Sequence, residues 1–136
     1  MDIIRPRDLI ARVSEWIETL RVRLPLGRRG ERAAEKYLRR FGYRIVKRNF
    51  RAAGAEIDLV AMDGDVLVFV EVKTRRGLDA GAPEEAVDER KQKQIRRAAE
   101  IFATRYREDE IEMRFDIVAI DASGKRLEID LLRNAF

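Results

Sequence analysis

The stretch EIDLVAMDGDVLVFVEVK, residues 56–73, decides the fold that this sequence predicts. Two runs rich in valine and other apolar residues, typical of strands, lie on either side of Asp63-Gly64. Both residues of that dipeptide tolerate positive φ, so it suits a two-residue hairpin turn. The stretch therefore predicts an antiparallel hairpin in which Met62 pairs with Asp65.

The predicted register determines which side chains face each other. It places Asp58 opposite Phe69 and Glu56 opposite Glu71. One face of the hairpin is apolar throughout: Ile57, Leu59, Ala61, Val66, Val68, Val70 and Val72. The other face combines charged and apolar residues: Glu56, Asp58, Val60, Leu67, Phe69, Glu71 and Lys73. The apolar members of this second face predict that another element of the fold covers it.

The three carboxylates on this face admit two interpretations. Like charges opposite each other destabilise a strand pair, because their Cβ atoms lie roughly 5 Å apart. A divalent cation would turn that repulsion into coordination, and oxygen ligands suit Mg²⁺ or Mn²⁺. The alternative is an ordinary solvated sheet face with scattered charge.

The composition narrows the possible chemistry. The chain has no Cys and no His, which excludes disulfides, thiolate zinc sites and catalysis by Ser-His or Cys-His pairs. Its net charge of +4 favours an anionic partner, although arginine richness also arises from genome composition or thermal adaptation. The sequence shows neither a membrane-span pattern nor a signal-peptide h-region, so we expect a cytoplasmic protein without stable membrane association.

The rest of the chain predicts an α/β protein. Periodicity and turn residues predict a helix over 8–23, a basic turn over 27–30, a helix over 31–41 and a strand over 43–51. After the hairpin they predict a loop over 78–82, a helix from 83 to about 107, and strands over 112–121 and 126–132. A helix between two strands implies a crossover, so the strand after it is predicted to run parallel to the second hairpin strand.

Residues 1–26 are predicted to form an amphipathic helical extension to a domain over residues 27–136. This extension has three interpretations: packing on the domain or on a second copy, lying on a membrane, or contacting DNA. The nearly balanced charges of the extension disfavour a lipid anchor, and packing is preferred.

Glu31 supplies a further carboxylate at the start of the second predicted helix. It precedes Ala34 by three residues and Leu38 by seven, so it lies on the buried side of that helix. One interpretation is a glutamate stabilised by the positive end of the helix dipole. The other is a site residue that faces the carboxylates of the hairpin.

Several motifs resemble the YraN family of small bacterial proteins, which are described as predicted endonucleases. The matching strings are Gly30-Glu31-Arg32-Ala33-Ala34-Glu35-Lys36-Tyr37-Leu38, Gly42-Tyr43, Arg48-Asn49-Phe50-Arg51, Glu56-Ile57-Asp58-Leu59, Phe69-Val70-Glu71-Val72-Lys73-Thr74-Arg75, Arg114-Phe115-Asp116 and Asn134-Ala135-Phe136. The family in turn is similar to the PD-(D/E)xK nucleases, near the archaeal Holliday junction resolvases. The resemblance implies a restriction-endonuclease-like fold, a mixed central sheet flanked by helices with an α-β-β-β-α-β core.

The chain departs from this family pattern at three places. Ile57 stands at the proline position of the superfamily motif, which removes no ligand. Ala55 stands where the family has glycine, which puts the loop before the strand in doubt. Residues 1–26 are longer and more helical than the usual N-terminus.

The resemblance also implies a metal-dependent phosphodiester hydrolase. Asp58 and Glu71, with the backbone carbonyl of Val72, match the positions that hold Mg²⁺ or Mn²⁺. Lys73 matches the lysine that orients or deprotonates the attacking water, or stabilises charge on the phosphate. Glu31 matches the acid that binds a second metal or positions its water shell. Glu56 is a further candidate with two interpretations: it faces Glu71, or it points to solvent at the start of its strand.

Basic residues around these positions predict contacts with a nucleic-acid backbone: Arg28, Arg29, Arg75, Arg76, Lys91 and Lys93. On the long helix, some of these residues have an alternative role in surface ion pairs with nearby acids. Gln94, beside the apolar stripe of that helix, is a further candidate.

Three functions remain open from the sequence. The preferred one is an endonuclease for branched or structured DNA, with DNA preferred to RNA. A homodimer would suit such a substrate, because it presents two sites. The alternatives are a non-cleaving nucleic-acid-binding module and an assembly protein with a vestigial site.

Overall fold

The computed structural model describes residues 26–76, 87–105 and 110–136. Its elements in chain order are α1 (Leu26–Arg40), β1 (Arg44–Ala52), β2 (Ala55–Asp63), β3 (Val66–Arg75), α2 (Glu89–Arg105), β4 (Glu112–Asp121) and β5 (Glu128–Leu132). The helix predicted over 8–23, the loop over 78–82 and the helix start at 83 lie outside the described residues. So does the predicted extension 1–26, except for its last residue.

The five strands form one mixed sheet in the order β1-β2-β3-β4-β5. Neighbouring strands are antiparallel, except that β3 and β4 run parallel from Val66↔Glu112 to Arg75↔Asp121. The chain segment between these two strands contains α2, so the predicted parallel crossover is confirmed. In the described part of the chain, the α/β class is confirmed as this mixed sheet with two helices.

Within the described residues, each face of the sheet packs against one helix. Ala34 and Leu38 of α1 are fully buried in a cluster with Leu59, Val68 and other residues of the face predicted to be apolar. Ile95, Ala98 and Phe102 of α2 pack on the opposite face in a cluster with Val60, Leu67 and Phe69. A helix therefore covers the face that carries Asp58 and Glu71, as the apolar residues on that face predicted.

The register predicted for the β2–β3 hairpin is wrong by two residues. Asp63 pairs with Val66, and the two-residue loop is Gly64-Asp65 instead of Asp63-Gly64. Gly64 has a φ of 59°, so in this register the positive φ falls on a glycine and Asp63 remains in the strand. Because partners shift by two residues, the paired side chains from Leu59 to Val70 keep their predicted faces.

The corrected register changes which site residues meet. Phe69 pairs with Val60 and not with Asp58, and Asp58 and Glu71 are the next residues of the two strands beyond the last pair, Leu59↔Val70. Glu56 pairs with Arg51 of β1 and does not face Glu71 as predicted. Ile57 is a further correction, because it pairs with Phe50 and packs in the cluster beneath α2 rather than on the opposite face.

The observed helix bounds also differ from the predicted ones. α1 begins at Leu26, so the predicted basic turn over 27–30 is part of the helix. α2 begins at Glu89, because Asp88 caps it: the Asp88 carboxylate accepts a hydrogen bond of 2.8 Å from the Lys91 backbone N–H. Neither α1 nor α2 is long and apolar enough to cross a membrane.

Candidate active site

An open pocket of about 510 Å³ lies where the start of α1, the start of α2 and strands β2 and β3 come together. Carboxylates from three elements line it: Glu31 from α1, Glu56 and Asp58 from β2, and Glu71 from β3. Its volume falls within the range usual for small-ligand sites. The structure thus brings the sequence-predicted acids into one concave surface.

Asp58 is the most perturbed acid in this pocket. Its Oδ2 accepts a hydrogen bond of 2.7 Å from the Val72 backbone N–H, which ties β2 to β3. Burial, followed by repulsion from the Glu71 carboxylate, raises the pKa of Asp58 to about 7. A cation bound beside Asp58 would favour the ionised form of its carboxyl group.

Glu71 is buried and paired with two lysines. Its Oε1 lies 2.7 Å from Nζ of Lys91 and 3.3 Å from Nζ of Lys73. Burial and the neighbouring Lys91 lower the pKa of Lys73. Burial is the largest single effect on Lys91 and lowers its pKa. The hydrogen bond to Glu71, the contact with Lys73 and the negative charges of Glu71 and Asp58 together outweigh burial, so the pKa of Lys91 is raised.

Glu31 reaches the pocket from the first turns of α1, although α1 packs on the other face of the sheet. It is partly exposed, and burial followed by the Glu56 charge raises its pKa. The helix can approach the sheet here because residue 30 is glycine and contacts Thr74 of β3. Glu31 is therefore held near Asp58 and Glu71 by local packing.

The other predicted site residues lie at the edge of the acidic pocket or in a cavity beside it. Glu56 and Gln94 both line the pocket, but Glu56 is exposed and pairs with Arg51 at 3.3 Å. Lys93 is exposed and lines an adjoining cavity with Arg90 and Arg97.

The arginines predicted to hold a nucleic-acid backbone occupy two elements. Arg75 ends β3, and Arg76 follows it on the surface. Arg28 is exposed on α1, whereas Arg29 is half-buried and its Nε has no hydrogen-bond partner within the described chain.

Two residues of the pocket were not predicted in their observed roles. Asp88 lines the pocket and caps α2. Lys91 was predicted to contact phosphate, but its side chain turns inward to Glu71. Helical spacing contained this signal, because Lys91 precedes the buried Ile95 by four residues and Ala98 by seven.

A family model and individual relatives both match this chain, and they name the same family. The model of the family described as "Uncharacterised protein family UPF0102" matches residues 30–120. The chain belongs to the UPF0102 family. A UPF0102 protein of Syntrophotalea carbinolica is 46% identical over 114 residues, covering 84% of this chain and 93% of the relative. One from Geobacter sulfurreducens is 49% identical over 112 residues, covering 82% of this chain and 88% of the relative.

The pocket of this UPF0102 protein fits a hard divalent cation in the chemistry of its donors. Asp58, Glu71 and Glu31 offer carboxylate oxygens. Burial and then repulsion from Glu71 raise the pKa of Asp58, and a bound cation would offset both effects. Within the described residues, however, no three acids already stand close enough together to hold a metal ion. An ion that binds Oε1 of Glu71 would have to displace the ammonium of Lys91, which lies 2.7 Å from that oxygen.

Proposed function

We propose that this protein is a Mg²⁺- or Mn²⁺-dependent endonuclease that hydrolyses phosphodiester bonds in branched or otherwise structured DNA. The observation that carries the proposal is the shared pocket of Glu31, Asp58 and Glu71, with Lys73 beside Glu71. Carboxylates and a lysine are sufficient for this chemistry, which needs neither His nor Cys. The motif resemblance to PD-(D/E)xK nucleases points to the same reaction.

The fold supports this proposal by the way it places the acids. Asp58 and Glu71 come from adjacent antiparallel strands, and Lys73 follows Glu71 by two residues on the same strand face. A mixed sheet with one helix on each face is compatible with a restriction-endonuclease-like fold. We include that fold assignment in the proposal.

In the proposed reaction, Asp58, Glu71 and the Val72 carbonyl would hold the cation, and Glu31 would be a further ligand or an anchor for its water shell. The bound ion would supply Lewis-acid activation of the phosphate and of the attacking water. The Lys73 ammonium stabilises the negative charge that develops on the phosphate, and it also orients the water.

A basic row beside the pocket supports a nucleic-acid substrate. Arg90, Lys93 and Arg97 line one cavity on α2, and the first of them also borders the acidic pocket. Arg75 and Arg76 lie at the end of β3, two and three residues beyond Lys73. These side chains would bind phosphates without reading sequence, so recognition would depend on the shape of the DNA. We include a cytoplasmic location and a homodimer with two sites in this proposal.

A non-cleaving nucleic-acid-binding module is the second candidate. One observation favours it: Glu71 is already neutralised by Lys91 and Lys73. Such a module would keep the basic row and use the lysine–carboxylate contacts only for structure.

Calorimetric titration with Mn²⁺ and Mg²⁺ tests the metal site. Wild type and Asp65→Asn, a control in the exposed turn of the same hairpin, should bind the ion, and Asp58→Asn should not. Failure of wild type to bind either ion, both alone and with a four-way DNA junction present, would leave the binding module as the function.

Cleavage assays then test the reaction. A four-way junction should be cut in preference to a linear duplex of the same sequence. Lys73→Met should bind Mn²⁺ yet lose roughly 10²-fold or more in rate, because the ammonium acts on the phosphate and the water rather than on the ion. A Lys73→Met protein that cuts at the wild-type rate would remove Lys73 from the mechanism.

A further inference from the structure

Lys91 occupies a position that an ordinary surface lysine would not take. Its Nζ lies 2.7 Å from Oε1 of Glu71, whose side chain is only 8% exposed. This contact is shorter than the 3.3 Å contact of Lys73 with the same oxygen. An ion pair with one buried partner is screened less by solvent than a surface pair, so it competes more strongly with other cations.

Contacts on both sides of Lys91 along α2 fix the position of this lysine. Asp88 accepts a hydrogen bond from the Lys91 backbone, which fixes the first turn of α2. Ile95, four residues later, is buried in the core beneath α2. The side chain of Lys91 therefore emerges on the inner side of α2, where it lines the acidic pocket.

We propose that Lys91 is a built-in counter-cation, which neutralises Glu71 in the metal-free protein and must leave it for a divalent ion to bind. This inference rests on the proposed function, because it concerns the same ion. Oε1 of Glu71 already contacts the Lys91 ammonium at 2.7 Å, so a divalent ion that takes this oxygen as a ligand must displace the lysine. The released ammonium then lies beside the pocket, where an incoming phosphate can take the place of Glu71 as its partner.

The test is a Mn²⁺ titration by calorimetry, without nucleic acid and at one fixed ionic strength. Lys91→Met should bind Mn²⁺ about tenfold more tightly than wild type, because the competing ammonium is gone. Lys93→Met is the matched control: it removes the same charge from the same helix, and Lys93 forms no ion pair with Glu71 among the described residues. Its affinity should stay within about twofold of wild type, because an exposed charge is screened by salt.

Thermal unfolding in EDTA gives a second readout that needs no bound metal. Lys91→Met should melt at a lower temperature than Lys93→Met, because it leaves the Glu71 carboxylate with Lys73 as its remaining partner. Added Mn²⁺ should then raise the melting temperature of Lys91→Met by more than that of wild type. Lys91→Gln, which keeps a hydrogen-bond donor, repeats the comparison if the methionine variant does not fold.

The outcomes separate this inference from the proposed function. If wild type binds Mn²⁺ and both Lys91 variants bind it no more tightly than Lys93→Met, the counter-cation role is overturned and the metal site stands. If neither wild type nor any variant binds Mn²⁺, with or without a DNA junction, both proposals fail together. Tighter binding confined to the Lys91 variants supports both.

Discussion

Gly30 packs so closely against Thr74 that a Cβ built on the glycine would lie 1.9 Å from the threonine hydroxyl oxygen. This contact brings the start of α1 onto β3 at the residue that directly follows Lys73, which pairs with Glu71. The next residue, Glu31, lines the pocket as a result. A glycine in the packing interface therefore positions a carboxylate of the candidate active site.

Gly30→Ala is predicted to destabilise the protein by about 1–3 kcal/mol, because the added methyl group overpacks the contact with Thr74. Thr74→Ala in the same chain should recover most of that loss by removing the hydroxyl group. Urea denaturation of the single and double variants measures both effects.

The matched control is Gly27→Ala, in the same helix, where an added Cβ meets no atom within 4 Å. It should be neutral, or stabilising by up to about 1 kcal/mol through helix propensity. Equal destabilisation at both glycines would show that the helix, and not the Thr74 contact, determines the result.

Asp58 is predicted to make the metal-free protein less stable as the pH rises. Its folded-state pKa of about 7 lies above that of the unfolded carboxyl, so between these values the folded state binds more protons. The stability from Asp58 is fully present below about pH 4 and is lost as the pH rises through about 7. Urea denaturation in EDTA from pH 4 to 8 measures this loss.

Asp58→Asn mimics the protonated side chain and should remove this component of the pH profile. At pH 8 in EDTA we expect it to be more stable than wild type by roughly 2–4 kcal/mol. Asp65→Asn, at the exposed turn, should keep the wild-type profile. If the free energy of unfolding changes with pH in the same way for all three proteins, the pKa of Asp58 is near its ordinary value.

The sequence predicted most of the sheet but not the contacts between its elements. Except at Ile57, alternation identified the faces of β2 and β3 and placed both carboxylates on a face that a helix covers, because side-chain direction is a local property of a strand. The register was wrong because it depends on which loop residue takes the positive φ, and both candidate loops contain Gly64.

At the candidate site too, the sequence predicted which residues take part but not all of the contacts between them. Motifs identified Glu31, Asp58 and Glu71 as residues that would meet, and the structure brings them into one pocket. The role of Lys91 depends on the rotation of α2 about its axis when it packs. Composition favours a surface role for a lysine, whereas spacing from Ile95 and Ala98 placed it on the inner side.

The basic row on α2 is predicted to contribute to nucleic-acid binding through phosphates. Arg90→Gln, Lys93→Gln and Arg97→Gln should each weaken junction binding and reduce the slope of log K against log salt by about 1. Fluorescence anisotropy with labelled junction DNA at several salt concentrations measures this slope.

Arg44→Gln is the charge-matched control for the basic row. Arg44 is exposed and pairs with Met62 beside the hairpin turn, at the end of β2 opposite to Asp58. It should leave the salt slope unchanged. An equal decrease for all four variants would indicate a general charge effect instead of a binding surface on α2.

A buried charge network at Asp116 is predicted to support the fold. The Asp116 side chain is fully buried and accepts hydrogen bonds from Arg114, from the Tyr43 hydroxyl at 3.3 Å and from the Asn134 backbone at 2.9 Å. Arg114 also pairs with Asp63 at 2.9 Å. The network therefore joins β4 to the start of β1, to the β2–β3 hairpin and to the end of the chain.

Asp116→Ala should lower the free energy of unfolding by about 3–5 kcal/mol, because it removes the buried partner of Arg114 and leaves several donors unsatisfied. Asp63→Asn removes a single, more exposed partner of the same arginine and should cost about 1 kcal/mol or less. Urea denaturation measures both losses, and Mn²⁺ calorimetry on the folded variants should give the wild-type affinity. A change in Mn²⁺ affinity in Asp116→Ala would mean that the network also positions the acids of the pocket.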